Sequence, residues 1–305
     1  MYQVLRPSTS RFLPIRHHEY HMRQWSESTQ PTSTPVVLLH GWMDVSASWQ
    51  FMVDALPQSF MDHRSIVAPD WRGYGQTTGP ATDAFWFPDY LGDLDALLET
   101  LYPGQQVDLV GHSMGGNVVM MYAAVRPQRV RRLVNVEGFG MAATRAAQAP
   151  TRLGQWLDEL SAHQQGSNAM QTYPDLDAVA ARLRKNNPRL APDRAQWLAS
   201  HWAQPDAQGQ WQVCGDRAHK NVNPYLYRLD ETLEAYRRIQ CPTLFVQAQA
   251  DSLTQWWKGT YTRQQHDERL QHVPQLQTLT LPDAGHMLQH DQPLRLAQAL
   301  VEFLS

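Results

Sequence analysis

Ser113 sits in "LVGHSMGGNV", a G-x-S-x-G pattern running from an apolar stretch into small residues. "VDLVG" before it reads as a buried strand, and "GGNVVMMYAAV" after it reads as a helix. A strand–turn–helix context of this kind strains the serine and lifts its hydroxyl above the sheet, where it can attack a substrate. A hydroxyl is a weak nucleophile until a base takes its proton, so the pattern calls for a histidine elsewhere in the chain. His286, in "LTLPDAGHMLQHDQP", follows a strand pattern and precedes the last helical one, with Asp283, Ala284 and Gly285 as loop formers. That placement lets its imidazole project back over the sheet.

The imidazole in turn needs a carboxylate to set its tautomer and stabilise its charged form. Two acids stand at strand ends. Asp251 follows "TLFVQAQA" and gives the chain order Ser113, Asp251, His286 that goes with this type of elbow. Glu137, in "LVNVEGFG", ends the strand after the nucleophile's helix and is the alternative. Chain order favours Asp251. Two backbone N–H groups should hold the developing oxyanion. One is that of Met114, just after the serine; the other is that of Trp42, delivered by the turn His40–Gly41 in "VVLLHGWMD". His286 and His290 have the spacing of a helical metal pair, but no third ligand motif accompanies them. No metal or cofactor is expected, and His290 reads as a surface residue.

The elements that must carry these residues alternate. Short apolar runs at 36–40, 65–70, 107–111, 132–137, 243–248 and 276–281 are separated by amphipathic stretches such as 88–101 and 295–304. That alternation implies an α/β fold with a mostly parallel sheet. The rhythm breaks between Glu137 and Thr243, where helical patterns run on without a convincing strand. So long a loop is improbable in a compact domain, which points to a helical insertion. The predicted organisation is a core domain over 1–140, an insertion over 141–238 and the rest of the core over 239–305. The stretch "STQPTSTP" at 28–35 reads as a loop.

With 305 residues, 42% of them hydrophobic, the chain can fill a sizeable core. Its formal charge of −3, with scattered arginines, gives no electrostatic reason to expect nucleic acid. Two cysteines, Cys214 and Cys241, do not make a disulfide framework. Neither a signal peptide nor an apolar run long enough to span a bilayer is visible, so a cytoplasmic protein acting on a small molecule, with no membrane insertion, is expected.

"LLHGW", "DWRGYGQT", "LVGHSMGG", "ADS" and "DAGHML" occur in the order and approximate spacing of the α/β-hydrolase fold family, which the chain resembles over nearly its whole length. The resemblance implies a central, mostly parallel eight-stranded sheet flanked by helices, with a helical cap inserted after strand 6. Dehalogenases and epoxide hydrolases of this fold use an aspartate at the elbow, and Ser113 disfavours both. The implied activity is hydrolysis of a small, mostly apolar carboxylic ester or thioester. Alternatives are C–C bond hydrolysis of a vinylogous diketone on the same residues, or a slow-turnover binding protein. Cap aromatics such as Trp202 would roof a pocket shared with Trp42, His40 and Met287.

Overall fold

The computed structural model describes residues 2–25 and 33–305, so most of the loop expected at 28–35 lies outside the described residues. A hairpin opens the chain: β1 (Thr9–Ile15) pairs antiparallel with β2 (His18–Gln24). Then follow β3 (Val36–Leu39), the short helices α1 (Gln50–Asp54) and α2 (Gln58–Met61), β4 (Ile66–Pro69) and α3 (Phe87–Leu101). Next come β5 (Val107–His112), α4 (Met114–Val125) and β6 (Val130–Val136). The sheet is completed by β10 (Thr243–Ala248) and β11 (Leu276–Leu281) in the order β1-β2-β4-β3-β5-β6-β10-β11. All pairings from β4 to β11 are parallel, while β2 runs antiparallel to β4.

Every residue of β3, β4 and β5 is buried, as continuous apolar runs covered on both faces should be. Alternate side chains feed opposite layers. Val37, Leu39, Val107 and Leu109 enter one core, and Val36, Leu38 and Val110 enter the other. The second layer is closed by α12 (Pro293–Leu304), which buries Leu296, Ala297, Leu300 and Leu304 along one stripe. Pro293, whose missing N–H costs nothing in a first turn, opens that helix.

Between β6 and β10 stand α5 (Ala149–Gln164), α6 (Leu176–Asn186), α7 (Pro192–Trp202) and α8 (Leu229–Arg237). The sequence reading expected no strand here, but β7 (Thr172–Tyr173), β8 (Ala203–Pro205) and β9 (Trp211–Val213) form a small antiparallel sheet. Strands of two or three residues are too short to leave an alternating pattern. Val179, Leu183, Ala195, Leu198 and Trp202 make a separate apolar core here, which extends to Val45 and Phe51 on the loop and helix after β3. Beyond β10 lie α9 (Ser252–Trp256), α10 (Arg263–Leu270) and, after β11, α11 (Leu288–Asp291). Both cysteines are buried free thiols.

Candidate active site

Ser113 stands between β5 and α4 with φ 53° and ψ −114°, outside the regions a side chain prefers. The turn closes because its neighbours are small. A Cβ at Gly115 would lie 2.3 Å from the Leu39 carbonyl oxygen. Likewise, a Cβ at Gly41 would come within 3.1 Å of Ser113 Cβ, so the loop after β3 runs directly against the serine. The Ser113 N–H donates to the Val136 carbonyl at 2.9 Å, locking the elbow to the next strand. Met43 (φ 53°) and Glu137 (φ 56°) are left-handed as well. A positive φ is uncommon for a residue that carries a side chain.

His286 Nε2 lies 3.0 Å from Ser113 Oγ, and its Nδ1 lies 3.2 Å from Glu137 Oε2. The carboxylate can only accept, so Nδ1 carries the proton and Nε2 is left free to take one from the serine. Glu137 is 1% exposed. Its Oε1 accepts the Ala248 N–H at 2.7 Å, and its Oε2 also accepts from the Ser252 hydroxyl. The turn beneath it is stapled by Asn135, whose side chain accepts from the Gly138 N–H at 2.8 Å and donates to the Gly138 carbonyl at 2.9 Å.

Asp251, the acid favoured on chain order, does not face the imidazole. Its carboxylate caps α9 by accepting the Thr254 N–H at 2.9 Å, and its side chain is 41% exposed. The reason lies in the packing of strand ends: β6 neighbours both β5 and β10, so Glu137 reaches the gap above Ser113. Asp251 is spent one residue before a helix begins. An N-cap is what an aspartate in that position does by default.

The loop carrying His286 is pinned from three sides. His112 Nε2 donates to the His286 carbonyl at 2.8 Å, Asp291 accepts the Gly285 N–H at 2.8 Å, and Asn187 donates to Asp291 at 2.7 Å. Burial holds the His112 imidazole well below its usual protonation range, so it is neutral support. The imidazole of His286 is itself 37% exposed, open to an incoming molecule.

Two expected pocket residues are structural. His40 is fully buried; its Nε2 accepts the Trp71 N–H at 2.9 Å, which leaves Nδ1 to donate to the Gly41 carbonyl at 2.8 Å. It shapes the loop and touches no open space. Trp202 is buried in the small apolar core, and its Nε1 donates to the Met43 carbonyl at 2.9 Å, tying α7 to the same loop. Trp42 remains 47% exposed, with Nε1 donating to the His219 carbonyl at 3.3 Å. Met287, half-buried, follows the histidine directly. The Met114 N–H opens α4, and a first-turn N–H has no helical acceptor.

His290 is not on the surface. It is buried, with Nε2 3.2 Å from Ser48 Oγ, and Ser48 donates onward to the buried Asp44. Neither Asn135 nor this chain of polar groups has a sequence motif that would have revealed it. Burial lowers the His40 and His290 imidazoles to about 4 and about 3, and raises the Asp44 carboxyl to about 6. In the unfolded chain these histidines take up protons below about pH 6.5. Folded, they refuse them until about pH 4 and 3, so their stability is complete above pH 6.5 and drains away as pH falls towards 4. Asp44 opposes this, because its folded form takes up a proton at higher pH than the unfolded chain does. Urea melts at pH 7 and pH 5 should show a loss at pH 5, and His290→Gln should shrink it by about 2 kcal/mol, the slope of about 1.4 kcal/mol per pH unit acting only below about pH 6.5. An unchanged slope in that variant would refute the assignment.

A sequence model described as "alpha/beta hydrolase fold" matches residues 34–293. A serine hydrolase-like protein of Danio rerio is 25% identical over 80% of this chain and 73% of its own length. An epoxide hydrolase of Caballeronia sordidicola is 27% identical over 90% of this chain and 89% of its own. Among solved structures, the thioesterase domain from the curacin biosynthetic pathway superposes with a TM-score of 0.80 at 23% identity, covering 97% of this chain and 99% of that one. The motif-bearing sheet, the strained serine and the match across most of the length agree: the chain belongs to the α/β-hydrolase fold family and is an enzyme of the hydrolase class.

Proposed function

We propose that the protein cleaves a small, mostly apolar carboxylic ester or thioester through an acyl-enzyme on Ser113. The observation that carries this reading is the line of contacts from Ser113 Oγ to His286 Nε2 at 3.0 Å and from His286 Nδ1 to Glu137 at 3.2 Å. His286 takes the hydroxyl proton as Ser113 Oγ adds to the carbonyl carbon. The oxyanion accepts the N–H groups of Met114 and Trp42, and the imidazolium is held against Glu137. His286 then gives its proton to the departing alcohol or thiol. Water repeats the sequence on the acyl-enzyme, releasing the acid and restoring the serine. Each oxyanion donor is typically worth about 3–4 kcal/mol in the transition state.

The surroundings of the serine support an apolar acyl group. Trp42 is nearly half exposed and follows Gly41 on the loop that runs against Ser113, and the buried Phe139 ring lies 6.4 Å from that of His286 as an apolar backing. The test is a series of p-nitrophenyl esters of increasing acyl length, run with labelling by a fluorophosphonate. Turnover of the esters and a label that disappears in Ser113→Ala are expected. A label retained in that variant would refute the reading. Labelling without ester turnover would move the assignment to C–C bond hydrolysis, tested with a vinylogous diketone.

A further inference from the structure

We infer that Ser252 is a positioning residue for hydrolysis, its hydroxyl holding the Glu137 carboxylate towards His286. The inference rests on the proposed roles of Ser113, His286 and Glu137. Glu137 leaves its strand in a left-handed conformation and reaches across to the end of β10, where two groups of that neighbouring segment receive it. The Ala248 N–H takes Oε1 at 2.7 Å; the Ser252 hydroxyl takes Oε2, the same oxygen that faces His286 Nδ1. Two donors on one oxygen fix its place along the line to the imidazole. They also divide its charge, because a hydroxyl that hydrogen-bonds a carboxylate draws on the charge offered to its other partner.

Asp251 acquires a role in this arrangement. By capping α9 it fixes the backbone from which Ser252, the first residue of that helix, extends its hydroxyl. The end of β10 thus contributes a neutral hydroxyl, where the sequence reading placed the acid. The ionisable groups around the imidazole are Glu137 from β6, His112 from β5 with its ring 4.9 Å away, and Asp44 from the loop after β3. Arg189, between α6 and α7, lies against Gly285. On α10, His266 lies within electrostatic reach of the carboxylate, and Arg263 donates to the Ala248 and Ala250 carbonyls with Asp251 3.9 Å away. None of these changes when residue 252 does, so their contributions cancel in a comparison of variants.

The experiment is kcat/KM against pH for a p-nitrophenyl ester in the wild type, Ser252→Ala, Ser252→Thr and Ser252→Val. Without the hydroxyl, Oε2 attracts the imidazolium more strongly, so the acid limb should move up by about half a pH unit in Ala and Val. With the carboxylate less well held, kcat should fall about tenfold in these two variants at unchanged KM. Threonine keeps the hydroxyl and should restore both, and the Thr and Val pair, matched in shape, decides the matter should Ala fail to fold. An acid limb that stays at its wild-type position in Val as well as Ala would overturn the inference. Phosphonate labelling of the wild type separates this from the parent reading. A labelled Ser113 with an unmoved limb removes only Ser252, whereas an unlabelled Ser113 removes the proposed chemistry itself.

Discussion

Ser113→Ala is expected to lower kcat for a p-nitrophenyl ester by roughly five to six orders of magnitude, about 7–8 kcal/mol of transition-state stabilisation. The size follows from how the parts depend on one another. His286 at 3.0 Å has no proton to take once the hydroxyl is gone, so base and carboxylate lose their use together with the nucleophile. What survives is binding and the oxyanion donors acting on water, typically a residual of about 10³–10⁴ over the uncatalysed rate. The variant should fold, because the Ser113 N–H bond to the Val136 carbonyl does not involve the side chain. A stopped assay with Ser113→Ala at high concentration, alongside a melting curve, measures both. A loss of less than about a hundredfold in a folded variant would show that another group attacks.

Glu137→Gln should come next, with a loss of roughly four orders of magnitude in kcat. The amide keeps the shape and can still accept the Ala248 N–H, so the fold is preserved. It can, however, present an N–H to Nδ1, which then holds a lone pair there and places the imidazole proton on Nε2. In that tautomer the ring cannot take a proton from Ser113. Asp251→Asn is the contrasting variant. Asparagine caps a helix as well as aspartate does, so activity should stay within about threefold of wild type. Parallel kinetics on the two variants decide between the acids. A collapse in Asp251→Asn, with Glu137→Gln active, would reverse the assignment made from the geometry.

Local patterns were legible in the chain itself. The elbow is one strand, one turn and one helix, so its residues are neighbours in sequence, and the strained backbone at Ser113 follows from that context. The apolar runs announced β3, β4, β5 and β10 because buried parallel strands must be rich in apolar residues, whereas β11, an edge strand with only Leu281 buried, showed itself by alternation. The position of His286 before the last helix was readable from loop formers on one side and a helical stripe on the other.

The choice of acid was not readable in this way. Glu137 and Asp251 each end a strand, and which one meets the imidazole depends on strand order and on the path of each chain beyond its strand. The same holds for burial. His40 ends an apolar run and His290 reads as a surface residue, yet each is enclosed because distant segments pack over it and supply hydrogen bonds. Periodicity reports which face of one element is apolar, whereas a contact between two loop residues is settled only when the layers between them are packed. The chain alone therefore determined the fold class and the serine elbow; three-dimensional packing decided which carboxylate stands behind His286 and that Ser252 shares it.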